Sequence, residues 1–220
     1  MIKTYAFIVK KAGLSDEQFH AHWRDPHGVM TTRIPHFVRY LQNHGVGPDC
    51  RLPPFPAVPF RGVPVIWTRG LEDLAAAAEH PDWPPLAEDG GLFYEVDQLA
   101  FVPCRETAEH GGDPGPGPHT KAMVFVRGAD SLDDAALLNE LIAAWPVVAW
   151  AGAARPVPEA NPPPGPFFDL ALEFILPGVE AQGGALAAGC VKLAGVINAT
   201  SSLQPVGGFL CREERVFDRR

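Results

Sequence analysis

The sequence predicts an α+β fold built from two βαββαβ units that cover each other's sheets, and three observations predict it. First, Lys3-Thr4-Tyr5-Ala6-Phe7-Ile8-Val9 is echoed by Lys121-Ala122-Met123-Val124-Phe125-Val126-Arg127, and Val102-Pro103-Cys104-Arg105-Glu106 by Phe209-Leu210-Cys211-Arg212-Glu213. Second, the stretch Thr107–Pro118 ends in alternating Gly and Pro, which support neither a helix nor a sheet ladder, so it reads as a linker. Third, between the echoes both halves pass through the same order of helix and strand signals. The expected organisation is therefore a first unit over residues 1–106, a linker over 107–118 and a shorter second unit over 119–220. Each unit places two helices on one face of a four-stranded antiparallel sheet. The bare face of each sheet needs a cover, and its twin in the same chain supplies one, closing eight strands into a barrel.

Taken in order, the first strand of each half leads into a helix start, Ser15-Asp16-Glu17-Gln18 or Ser131-Leu132-Asp133-Asp134, with acids in the first turn where the helix dipole favours them. A strand follows, Phe37–Val46 or Val147–Arg155. Then comes a proline-rich loop, Pro53-Pro54-Phe55-Pro56 or Pro162-Pro163-Pro164-Gly165-Pro166. The third strand is Val63–Thr68 or Phe167–Phe174, the second helix Leu71–Glu79 or Val179–Leu193, and a closing strand completes each unit.

Composition narrows the function classes. With 46% hydrophobic and 20% charged residues, the 220-residue chain has enough apolar surface to fold throughout its length. A formal net charge of −8 does not draw it to phosphate backbones, so no nucleic-acid partner is expected. The longest apolar stretch, Leu141–Ala154, is interrupted by Pro146 and is shorter than the roughly 20 residues of a membrane helix, so no membrane partner is expected either. The N-terminal stretch lacks the pattern of a secretion signal. Cys50, Cys104, Cys190 and Cys211 show no paired metal spacing and read as free thiols in a reducing cytoplasm. No metal and no cofactor is expected.

The halves differ in chemistry. All eight histidines lie at or before His119, so imidazole chemistry belongs to the first half. On a helical wheel at about 100° per residue, Phe19, Trp23, His27, Met30 and Ile34 share the inner face, while His22, Asp25 and Arg33 lie outside. Pro26 cannot donate to the carbonyl of His22, which predicts a kink just before His27-Gly28, and Gly28 admits a close neighbour. In the next strand a period of two places Val38, Tyr40, Gln42 and His44 on one face and Phe37, Arg39, Leu41 and Asn43 on the other. An inward histidine on an apolar face is commonly a hydrogen-bonded core residue, Trp23 alone reads as core, and His20 and His22 read as edge residues. The His20/His27 spacing does not match the i, i+4 pair of a helical zinc site.

Taken together, Phe19-x-x-x-Trp23-x-x-x-His27-Gly28 followed by Tyr40-x-Gln42-x-His44 resembles the EthD family of the dimeric α+β (ferredoxin-like) barrel superfamily. The resemblance covers about residues 1–105 and implies two ferredoxin-like repeats forming an intrachain pseudo-dimeric barrel, with the second a degenerate copy that lacks the Trp and the His-Gly pair. It implies a small hydrophobic cleft and a small hydrophobic, aromatic or polyketide-like partner. The implied reaction is a cofactor-free lyase of the dehydratase or decarboxylase type. An imidazole in a largely apolar pocket can be neutral at physiological pH and take a proton, which makes His27 the candidate acid/base, with Tyr40 and His44 as further catalytic residues and Phe19, Trp23 and Gln42 binding substrate. Related barrels also host monooxygenases, haem enzymes and plain binders. An accessory binding protein and haem ligation by His27 therefore stand beside the enzyme reading. Since the barrel closes within one chain, a monomer suffices, and edge contacts allow a homodimer.

Overall fold

The computed structural model describes the chain except residues 48, 162–164, 177–182, 201 and 220. Its strands are β1 (Ile2–Phe7), β2 (Arg39–Gly45), β3 (Gly62–Thr68), β4 (Ala100–His110), β5 (His119–Arg127), β6 (Trp150–Pro156), β7 (Leu170–Leu176) and β8 (Gln204–Asp218). Its helices are α1 (Asp16–His22), α2 (Gly28–Thr31), α3 (Leu71–Glu79), α4 (Trp83–Gly90), α5 (Asp134–Ala144) and α6 (Gly184–Ala199). Among the described residues the strands close an antiparallel barrel in the order β1-β3-β2-β8-β5-β7-β6-β4. The first half runs β4-β1-β3-β2 and the second β8-β5-β7-β6. The two seams pair β2 with β8, from Arg39–Asp218 to Gly45–Cys211, and β4 with β6, from Cys104–Pro156 to His110–Ala151. Among the described residues, closure leaves no strand edge for another chain to extend.

Alternation along the strands sends one set of side chains into the barrel and the other towards the helices. Inside, Tyr5, Phe7, Val65, Phe125, Phe168 and Phe209 share one apolar cluster. The same interior holds a buried ionic chain. Lys3 Nζ lies 2.5 Å from Glu173, Glu173 also pairs with Lys121 and accepts from the Tyr5 hydroxyl, and Lys121 Nζ lies 2.6 Å from Glu213. Each charge is balanced by a neighbour, which is the condition under which burial of ions is tolerated. Outside the barrel the second half is filled. Leu137, Leu141 and Trp145 of the α5 segment and Leu186 and Leu193 of α6 pack on Leu172 and Phe174. Gly189 makes room for Trp145, since a Cβ there would lie 2.0 Å from the indole.

Several local expectations are corrected. Thr107–His110 are not linker but the end of β4, held by β6. The connection is therefore 111–118, where the Gly/Pro alternation begins. Ser15 caps α1 with the reciprocal Gln18 contact as expected, but α5 is capped by Asp133, which accepts from the amides of Ala135 and Ala136, and not by Ser131. The proline loop at 162–164 and the helix start expected at 179–182 lie outside the described residues, and the described helix runs on to Ala199. Among the described residues no helix is long and apolar enough to cross a membrane, and the four cysteines are free.

Candidate active site

The cavity lies between the first-half sheet and its helices. Pro26 has no N–H to donate, and the chain answers by widening into a π-turn over Trp23–His27, in which the Gly28 amide reaches back to the Trp23 carbonyl. The expected kink is thus a widened turn, and the extra residue rotates the next helical turn about its axis. Gly28 and Thr31 become buried while Met30, expected on the inner face, is only half-buried. The close neighbour that Gly28 admits is a side chain, since a Cβ there would lie 3.0 Å from Gln42 Nε2. Gly62 does the same for Trp23, because a Cβ there would lie 2.5 Å from the indole.

The resulting cavity has a volume of about 120 Å³. Trp23, His27, Thr31, Phe37 and Tyr40 form one side, Trp83, Leu86 and Ala87 of α4 another, and Phe93, Tyr94 and Val96 the approach. Three of the six residues expected at the site, Trp23, His27 and Tyr40, line it. Phe19 does not. It is fully buried against Trp23 and Phe93 and supports the wall from behind. Gln42 and His44 do not line it either. Phe37, expected on the opposite strand face from Tyr40, shares a cluster with it, while Val38 joins Leu41 on the barrel side, because regular strand geometry begins only at Arg39.

His27 is held by a residue that no sequence motif marks. Its Nδ1 lies 2.8 Å from Oδ2 of Asp89 at the end of α4, and the other carboxylate oxygen lies 3.0 Å from Nε2 of His22. His22 is therefore part of the site and not an outer-face residue. A carboxylate accepts only, so His27 carries its proton on Nδ1 and keeps the Nε2 lone pair for a ligand. Burial pushes the His27 pKa below the ordinary histidine value, against the pull of Asp89, and the ring is neutral near pH 7. Phe93 packs on both imidazoles, with ring centroids 5.2 Å from His22 and 4.9 Å from His27. The sequence signal for α4 is Asp82-Trp83-Pro84-Pro85, where prolines sit in the first helical turn, the one place a helix accepts them.

Gln42 and His44 belong to a directional chain behind the wall. Gln42 Nε2 donates to the Trp23 carbonyl at 2.8 Å and to the Tyr40 hydroxyl at 3.3 Å, which turns its Oε1 towards His44 Nε2 at 2.9 Å. His44 must donate there, so its Nδ1 accepts from Nδ1 of His20 at 2.9 Å. Burial, first among the causes, drives His20 down to a pKa of about 4 and His44 to about 2, so both are neutral. Trp23 Nε1 also donates to the Tyr40 hydroxyl at 2.9 Å. With two N–H groups on its oxygen, Tyr40 has its own proton left for the neighbouring Thr31 or for a ligand. Thr31 meanwhile donates to the His27 carbonyl. Burial raises the Tyr40 pKa to about 12, so the phenol stays protonated.

A match to the family model for the EthD domain spans residues 11–97. Residues 11–97 form an EthD domain. The EthD domain contributes the π-turn, β2 and α4, hence both His27 and Asp89, while Ala6, Ile8, Leu99 and Phe101 complete the cavity from outside it. No curated protein matches the sequence. Among solved structures, a candidate monooxygenase from Fusobacterium nucleatum subsp. nucleatum aligns with 98% of this chain and 92% of its own, with a TM-score of 0.57 at 9% identity. A candidate monooxygenase from Lactobacillus acidophilus aligns with 98% and 93%, at 0.52 and 9%. A candidate chlorite dismutase aligns with 98% and 95%, at 0.55 and 10%. At such identities these likenesses show the fold alone: an α+β barrel spanning this whole chain, the EthD domain being part of it.

The residues do not fit a haem. A tetrapyrrole is far larger than a cavity of about 120 Å³, which is close to the roughly 150 Å³ apolar void known to take one benzene. Among the described residues no group of three or more His, Cys, Asp or Glu side chains is arranged to hold a metal ion.

Proposed function

We propose that the protein is a cofactor-independent acid/base enzyme of the lyase type that acts on a small apolar molecule in this cavity, with His27 as the proton-transferring group. The observation that carries the reading is the contact of His27 Nδ1 with Asp89 at 2.8 Å, on the wall of a cavity otherwise dominated by apolar side chains. The carboxylate fixes the tautomer and stabilises the imidazolium once His27 Nε2 has taken a proton from a C–H or O–H of the substrate. The Tyr40 hydroxyl donates a hydrogen bond to the substrate oxygen on which negative charge grows. The imidazolium then returns its proton to the departing group, so the residues end as they began. Trp23 is apolar wall, while Gln42 and His44 act through Tyr40. We also read the two halves as tandem ferredoxin-like copies, supported by their matching strand orders and by the filled outer face of the second half.

The test is a panel of hydroxylated aromatic and polyketide-type compounds incubated with the wild-type protein and with His27→Ala. Turnover by the wild type that is lost in the variant, with ligand binding retained, supports the enzyme. Binding by both proteins without turnover by either overturns it in favour of an accessory binding protein.

A further inference from the structure

We infer that the cavity selects neutral single-ring compounds that carry one hydrogen-bond donor and one acceptor, and rejects carboxylates. The inference rests on the acid/base reading for the place where the substrate sits, but draws on three independent features of the wall. The first is size, since about 120 Å³ is close to the void that takes one benzene and so holds a single ring, with its substituents reaching the open approach, and not a fused polycycle. The second is charge. No Lys, Arg, Asp or Glu is among the described lining residues. The one group there that could become a cation, His27, is kept neutral by burial, and Asp89 stands behind it with its negative charge. A carboxylate entering the cavity would leave water and find no counter-ion.

The third feature is hydrogen-bond polarity, which the surroundings fix on both sides. Asp89 leaves His27 Nε2 as an acceptor. The chain from His20 through His44 and Gln42, with Trp23 Nε1, fills the Tyr40 oxygen with donors, so its O–H can only donate, and a ligand acceptor takes that proton in place of the Thr31 hydroxyl, which spends its own on the His27 carbonyl. The complementary ligand presents a donor to His27 and an acceptor to Tyr40, as a hydroxylated ring ketone does. A lyase with these preferences expels a neutral group such as water. Loss of carbon dioxide from a free carboxylate does not suit it.

The experiment compares 4-hydroxyacetophenone with its equal-sized anionic counterpart 4-hydroxybenzoate by calorimetric titration of the whole protein at about pH 7, where His27 is neutral, a carboxylic acid is ionised and a phenol is not. The ketone is expected to bind, with the benzoate weaker by about 100-fold or more. Tyr40→Phe is expected to weaken the ketone by about 10-fold. Because Tyr40 is buried, a second variant guards against misfolding. Ala87→Leu, at an exposed α4 position that lines the cavity, should abolish ketone binding without altering the unfolding midpoint. Benzoate bound as well as the ketone, ketone binding indifferent to both substitutions, or no binding of either compound would overturn the selection. Should the ketone bind as expected while no neutral compound is turned over, the selection stands and the acid/base reading falls. Should carboxylates be bound and turned over, the acid/base reading stands and the selection falls.

Discussion

Asp89, from the end of α4, and His27, from the π-turn, meet with 2.8 Å between carboxylate oxygen and Nδ1, though 62 residues separate them in sequence. Asp89→Asn keeps the shape but offers an amide that can donate, so the favoured imidazole tautomer is lost. Turnover is expected to fall by on the order of 100-fold or more. Asp89 raises the His27 pKa while burial lowers it. Wild-type kcat/KM should therefore hold as pH falls through 6.5 and decline only below it, and residual activity in the variant should decline at still lower pH. A pH–rate profile with an acid limb above 6.5 would contradict this assignment.

His27→Asn separates chemistry from packing. The side chain is 12% exposed and its ring nitrogen meets Asp89, which keeps His22 as a partner when His27 is replaced. The expected cost is about 1 kcal/mol in the urea midpoint, with turnover lower by about 100-fold or more. Trp23→Phe is the packing control, since it removes an indole donor from Tyr40 and leaves a void. A midpoint loss for His27→Asn as large as that of the control, with unchanged ligand affinity, would make His27 a core residue.

The His20/His44 pair predicts acid sensitivity. Both rings stay neutral in the fold, at pKa values of about 4 and about 2, but take up protons near 6.5 once unfolded. The unfolded chain then binds more protons than the native one, so stability is full above about pH 6.5 and falls as pH drops from there towards 4. His44→Gln should flatten that slope by about 1 kcal/mol per pH unit, as read from denaturation midpoints across the range.

Much of this is legible in the sequence, and the gaps have physical causes. The Ser15 cap, the interruption at Pro26 and the convergence of Trp23, His27 and Tyr40 come from local geometry that periodicity captures. Periodicity gives the face of a strand but not what covers it. Alternation therefore sets His44 and Gln42 on the face of Tyr40, where they read as site residues, whereas α1 lays His20 over the end of their row. Asp89 escapes notice because two prolines in the first turn of α4 resemble a loop. The buried lysines and glutamates look like surface residues until the barrel closes around them.

Glu173→Gln tests that interior. Glu173 faces both Lys3 and Lys121, and these cations hold its carboxyl well below the usual carboxylate range against the cost of burial. Neutralising it leaves two buried cations short of a partner. The loss should be about 3–5 kcal/mol, seen as a lower unfolding midpoint, with the cavity's ligand preference unchanged in whatever protein remains folded.

The β2–β8 and β4–β6 seams join segments of the same polypeptide. A barrel assembled from two separate chains dissociates on dilution, and its apparent stability follows the law of mass action. Here the two sheets are held at a fixed ratio by covalent connection, and closure costs nothing further when molecules are scarce. The cavity and its supporting wall therefore persist in a cell that makes only a few copies of the protein.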